Sequence, residues 1–166
     1  MAVRTIVRFP DPRLRMVAEP VAVFDAGLRA LADDLSDTMK AAPGIGITGP
    51  HIGVGKRVVV LQLSVSEPAH VYVNPLIEWA SEERAYHIEG SVSMPGVTEQ
   101  IERAQRVRVS YRTLEGAEAS EEADGLLAVC HQHEIDQLDG IFWIERLSRL
   151  KRERIVKRFQ KIEKRR

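Results

Sequence analysis

His133 and Glu134 stand in the run AVCHQHEIDQLD, which spans Ala128 to Asp139 and also carries Cys130 and Gln137. At 3.6 residues per turn, a helix here places Leu126, Cys130, His133 and Gln137 within roughly 60° of one another, with Glu134 about 100° from His133. A histidine followed by a glutamate, with a second ligand four residues after the histidine, is the arrangement of zinc hydrolases. Two side chains on one helix face hold the metal, and the carboxylate stands beside the metal-bound water. Gln137 occupies the place where that pattern needs a second histidine. Taken alone, HEIDQ leaves two readings open. One is an ordinary buried helix, since lone histidines on semi-apolar faces are common; the other is a metal-enzyme helix that lacks one ligand.

The elements that would position this helix can be read from pattern. Asp124-Gly125 opens it with an acidic residue where the helix dipole favours one. Upstream, Asp25 caps a helix whose apolar positions Leu28, Leu31, Leu35 and Met39 recur at spacings of three and four. Asp33, Asp34 and Asp37 are expected elsewhere on its surface. That helix ends at Ala42-Pro43 and is followed by GIGITGPHIGVG, with five glycines in twelve residues. Such backbone is made to pass close to something. It lacks the closing G-K-[ST] of a phosphate loop. Interleaved Ile45, Ile47 and Ile52 predict an ordered, strand-like segment, with His51 inside it.

Further along, RVVVLQL reads as a buried strand, and AHVYVNPLIEW as two strands broken by a turn at Asn74-Pro75. IEGSVSMPGV is a mixed run of small, polar and apolar residues. RVRVSYRT alternates, with Val107, Val109 and Tyr111 on one side and Arg106, Arg108 and Arg112 on the other. LEGAEA turns into a short polar strand. Near the start, Asp11 before Pro12 is placed to cap a short helical turn. The order predicts an α+β fold of short, mostly antiparallel strands around the central HExxH-type helix, with a basic C-terminal helix over about 145–164. The whole chain, 1–166, reads as one domain.

Composition excludes several classes. The 166 residues have 44% hydrophobic content and zero formal net charge, ordinary for a water-soluble globular chain. No apolar run approaches the length of a membrane span, and no secretory leader pattern opens the chain. A single cysteine excludes an intrachain disulfide and fits a reducing, cytoplasmic setting. Charge is uneven, because from Arg146 onward basic residues far outnumber Glu153 and Glu163.

Three segments share one character, tight backbone with polar groups in apolar surroundings. They are GIGITGPH from Gly44, EGSVS from Glu89, and HEIDQ from His133. Their order and wording resemble the peptide deformylase family, whose motifs are GxGxAAxQ, EGCxS and HExxH. FPDPRLR, FDAGLRALADDLSDTMKAA, ADGLLAVCHQHEIDQLDG and LSRLKRERI extend the resemblance over essentially the whole chain. It implies a hydrolase fold that removes the formyl group from nascent N-formylmethionyl chains, with a catalytic metal, usually ferrous iron. The family's metal positions fall on Ser91, His133 and Gln137, and its general acid/base on Glu134. The oxyanion carboxamide falls on His51. Gly44, Ile45, Gly46, Gly90 and Val92 match the segments that bind peptide as an added strand.

The departures lie where the chemistry would be. A serine hydroxyl resists ionisation, unlike the thiol it replaces, and a carboxamide is a poor substitute for imidazole on iron or zinc. A whole structural zinc site is worth roughly 10–16 kcal/mol. Losing half of such an energy weakens binding by several powers of ten, at about 1.4 kcal/mol per decade. The expectation is therefore no resident cofactor, or Fe(II) or Zn at reduced affinity, with Ser91, His133 and Gln137 still converging. Glu134 remains, as catalyst or as a group that orients His133. At His51 an imidazole is not expected to reproduce the donor of the family's carboxamide. An alternative is a rebuilt site in which His51 and His133 bind a metal together. Cys130 is expected to be buried packing. Three functions stay open: a non-hydrolytic or very weakly active homologue that binds N-terminal (formyl)methionyl peptides, a deformylase with a weakly held or rebuilt metal, and a ribosome- or RNA-associated module acting through the basic tail.

Overall fold

The computed structural model describes residues 2–166. Five strands form one antiparallel sheet in the order β1-β2-β3-β6-β7. They are β1 (Gly46–Thr48), β2 (Val58–Leu61), β3 (His70–Ala80), β6 (Arg106–Arg112) and β7 (Glu118–Asp124). Between β3 and β6 the chain makes a separate hairpin, β4 (Arg84–Ser91) with β5 (Met94–Ala104). Three α-helices complete the α+β architecture: α1 (Ala26–Ala41), α2 (Gly125–Leu138) and α3 (Arg149–Lys164).

The sheet is sandwiched because its central residues are apolar on both faces. Val58 and Val60 of β2 pack with Leu28, Leu35 and Met39 of α1, whereas Val59 and Leu61 pack with Cys130 and Leu138 of α2. Val107 and Val109 of β6 reach Ala128 and Ile135 of α2, while Arg106, Arg108 and Arg112 point outward and pair with Glu83, Glu122 and Glu118. A fourth cluster lies under α3, whose Ile155 and Phe159 join Met94, Ile101, Phe142 and Trp143. α3 is therefore part of the core and not an appendage.

The helix boundaries follow from capping chemistry. The Asp25 carboxylate accepts from Leu28 N at 3.0 Å and starts α1. Asp11 accepts from Arg13 N and opens a 3-10 turn at Pro12–Arg15. The central helix α2 ends against Arg57, whose guanidinium donates to the Leu138 carbonyl at 3.1 Å and to Asp139 at 2.7 Å. A cation at that end satisfies a free carbonyl and complements the helix dipole.

Three expectations need correction, and one run to which no element was assigned finds its place. The segment expected as two strands is one, β3, because Asn74 absorbs the break in a left-handed conformation (φ 51°) at a register shift. Its side chain holds Val21 N and O at 2.8 and 2.9 Å, and Pro75 sits where no ladder hydrogen bond is needed. The mixed run around Ser91 is the tip of the β4–β5 hairpin. The basic helix begins at Arg149 and not near 145, since Ser148 caps it by accepting from Lys151 N, and Trp143–Arg146 forms a separate 3-10 turn. Asp34 is not a surface group; it is buried and receives Ala2 N and Arg4. Among the described residues, no helix is long and apolar enough to cross a membrane.

The glycine-rich segment is strand only at β1, after which Gly49–Ile52 coils into a 3-10 turn. Gly49 is required there: a Cβ would lie 2.6 Å from the carbonyl oxygens of both Val54 and Lys56. Backbone cannot step aside as a side chain tip can. Gly49→Ala is expected to lower unfolding stability by about 1–3 kcal/mol, the usual cost of overpacking, as measured in urea. An unchanged midpoint would mean that the 54–56 loop yields freely.

Candidate functional site

α2 is buried on nearly all sides, yet it is rich in polar side chains. Each of these must find a partner inside the protein. Gln132 accepts from Ala104 N at 3.0 Å and donates to Ala104 O at 2.8 Å, which fastens the helix to the end of β5. His131 contacts Glu121 of β7 at 2.7 Å. Asp136 is held by Arg103 at 2.6 Å and by Arg146 at 2.9 and 2.7 Å. Arg103 in turn grips Glu89 through Nε and Nη2 at 2.8 and 2.9 Å. Glu89 is the first residue of EGSVS, and one of its oxygens lies 2.8 Å from His133 Nδ1.

That chain fixes the imidazole. A carboxylate only accepts, so His133 carries its proton on Nδ1 and turns Nε2 towards Glu134, 3.7 Å away. Burial alone would raise the Glu89 carboxyl, but the bonds from Arg103 and His133 outweigh it and hold it at about 2. Glu134 accepts no comparable set of bonds, and burial pushes it up to about 7. His133 is raised as well, because Glu134 and Glu89 outweigh its own desolvation.

His133 and Glu134 line a cavity of about 640 Å³. Gly44, Ile45 and Gly46 line it too, with Gly90, Ser91 and Val92 of the hairpin. Leu126, Val129 and Cys130 supply an apolar floor. The glycines are explained by approach: a Cβ on Gly46 would meet Glu134 Oε2 at 2.8 Å, and one on Gly44 would meet Val92 at 2.8 Å. The Cys130 thiol is pushed up to about 12 by burial and by the Glu134 and Glu89 carboxylates, so it offers no thiolate.

The three positions expected to converge do not all do so. Ser91 and His133 line the cavity, and Ser91 Oγ accepts from Ser93 N at 3.1 Å. Gln137 is absent from the lining; it is buried, and its amide donates to Leu14 O at 2.7 Å. Among the described residues, no group of three or more His, Cys, Asp or Glu side chains is arranged to hold a metal ion. A neutral hydroxyl, one imidazole and a committed carboxamide do not fit a first-row metal that wants thiolate and imidazole.

His51 also lines the cavity and is fully buried. Its Nδ1 accepts from Thr48 N at 2.9 Å and lies 3.0 Å from Thr48 Oγ1, while Nε2 has no hydrogen-bond partner. Burial, followed by the nearby His133, lowers its pKa to about 3, so the ring is neutral. Sequence reasoning missed the Glu89–Arg103–Asp136–Arg146 chain altogether. Arg103 ends the stretch TEQIER, with nothing in its pattern to mark it as internal.

Comparison with known proteins assigns the class. The family model described as polypeptide deformylase matches residues 3–153. The chain belongs to that family. It is 65% identical over 164 residues to a "Peptide deformylase-like" protein of Brucella melitensis, covering 99% of this chain and 100% of the relative. A crystal structure of a peptide deformylase from Legionella pneumophila superposes with a TM-score of 0.93 at 36% identity, covering 98% of this chain and 96% of that one. The peptide deformylase of Ehrlichia chaffeensis in complex with actinonin gives 0.93 at 36% identity, over 98% of this chain and 99% of that one.

The buried ion chain makes a stability prediction. Arg103→Met should cost about 3–5 kcal/mol at pH 7, because it leaves buried carboxylates without their shared cation. Glu89 titrates below its ordinary 4.5, so its stabilisation is complete above that pH and is lost as pH falls towards about 2. Urea unfolding from pH 7 to 2 should show this acid limb in the parent and not in the variant. An identical limb in both would assign it to other carboxylates.

Proposed function

We propose that this protein is a deformylase homologue with a dismantled metal site, non-hydrolytic or very weakly active, that binds N-terminal (formyl)methionyl peptides in the cytoplasm. The fate of Gln137 carries this reading: its amide is spent on the Leu14 carbonyl, outside the cavity. The peptide-binding half rests on what remains around it. β1 is an edge strand of the sheet, and strand addition at a sheet edge is a backbone-driven way to take a peptide. Its glycines keep the approach clear, and Leu126, Val129 and Cys130 offer an apolar pocket for a methionine side chain.

A second reading, a slow hydrolase with a weakly held metal, is favoured by one observation. Glu134 stands in the cavity beside His133, with a carboxyl raised to about 7. Both readings meet in one experiment. Protein purified anaerobically should hold far less than one equivalent of iron, zinc or nickel and release no formate from N-formylmethionyl peptides while still binding them. Ser91→Cys with Gln137→His should restore metal and part of the activity. Stoichiometric metal and turnover in the parent would support the slow hydrolase instead.

A ribosome contact through α3 is the partner proposal. Arg154, Lys157, Arg158 and Lys161 are exposed and share one side of the helix. Truncation before them would strip Ile155 and Phe159 from the core, so charge reversal is the sounder test. Arg154→Glu with Arg158→Glu and Lys161→Glu should abolish low-salt co-sedimentation with ribosomes while leaving the melting temperature nearly unchanged. Parent binding should fall steeply with salt, as contacts to phosphate do. Sedimentation that survives the triple reversal would place the contact elsewhere.

A further inference from the structure

Three buried polar atoms among the described residues have no hydrogen-bond partner: His51 Nε2, Ser93 Oγ and Trp143 Nε1. Of these residues only His51 lines the cavity. An orphan donor that is buried costs stability and calls for an explanation. The explanation begins at the other edge of the ring. Thr48 N–H is a donor with no alternative, and it points at Nδ1 from 2.9 Å. Nδ1 must therefore be the bare, accepting nitrogen, and in a neutral imidazole the proton then sits on Nε2. The ring cannot exchange tautomers without placing two N–H groups against each other.

We propose that His51 is locked as an Nε2–H donor and that the cavity uses it to receive an acceptor oxygen of the ligand, a carbonyl or carboxylate. This rests on the peptide-binding reading above and adds the group it recognises. A locked imidazole differs from a carboxamide, which can rotate to present either oxygen or nitrogen. His51 offers N–H alone, so an acyl oxygen fits against it and a ligand N–H does not. The same lock removes His51 from any metal site, because a protonated Nε2 has no lone pair to give. The rebuilt His51–His133 centre is thereby disfavoured, and on this proposal the imidazole takes the donor's place that the family gives to a carboxamide.

Long-range ¹H–¹⁵N NMR of histidine-labelled protein at neutral pH tests the lock directly. The His51 ring should show a protonated Nε2 and a bare Nδ1, unchanged by an equivalent of Zn²⁺. An N-formylmethionyl tripeptide amide should move the Nε2–H proton downfield and slow its exchange. Formate, the smallest carboxylate, should do so at higher concentration. His51→Leu should weaken peptide binding about tenfold, the scale of one hydrogen bond, whereas His51→Gln keeps a donor and should stay within a few-fold of the parent. A proton on Nδ1, or a zinc-induced loss of the Nε2–H signal, overturns the proposal whether or not the variants fold. Equal peptide affinity in parent and His51→Leu overturns it while leaving peptide binding intact. If no peptide binds but formate shifts Nε2–H, the donor site stands and the peptide reading falls. If neither ligand moves the signal, both fall.

Discussion

The burial of α2 on nearly every side is the constraint on which the rest of this structure depends. An amphipathic helix can leave its polar face in water; this one cannot. The polar side chains of its last three turns lie inside the protein, and all the histidine, glutamine and acidic ones but Glu134 are matched to other parts of the chain. Gln132 answers β5, His131 answers β7, Asp136 answers Arg103 and Arg146, and Gln137 answers the Leu14 carbonyl. Such a helix is held in one register and one rotation, because a slip by one residue would strand several buried groups at once. Desolvation makes buried ion pairs poor sources of net stability. Their contribution here is placement, and the group they place is His133.

That placement rests on a frame that is independent of the family's other metal positions. Glu89 orients His133 from one side, Arg103 neutralises Glu89, and Asp136 ties Arg103 back to the same helix. None of these contacts involves Ser91 or Gln137. The two ligand positions can therefore change without loosening the imidazole or moving Glu134. Gly46 likewise leaves space for the Glu134 carboxylate itself and not for anything bound to it. The frame that holds His133 and the residues at positions 91 and 137 are separable in this fold.

Much of this was legible in the residues. Asp25, Asp11 and the α1 periodicity marked their elements, and Val58 to Leu61 declared itself a doubly buried strand because every residue in it is apolar. The β4–β5 hairpin was not legible. Tyr86 and Ile88 are exposed, and Glu89 is buried, which reverses the usual in-out alternation. Asn74-Pro75 reads as a turn because a positive φ and a missing N–H are turn signals; a bulge can absorb both without ending a strand. The start of α3 was misplaced because Arg146 belongs by charge to the tail and by contact to Asp136. Partner choice across long sequence separations, such as Arg103 with Glu89, has no local signature at all.

Gln137 does more than stand where the family motif has a histidine. A histidine there would present one ring nitrogen towards a metal and need a partner for the other. The glutamine satisfies itself on Leu14 O, a backbone group contributed by the 3-10 turn at Pro12–Arg15. This bond pins the N-terminal segment to α2. Leu14 is itself buried among Phe142, Trp143 and Phe159, so the bond joins the helix to the core under α3. Restoring a histidine would therefore free the Leu14 carbonyl in a buried setting, at a cost of about 1–3 kcal/mol. Metal binding at a repaired site would have to offset that cost before it stabilised the fold.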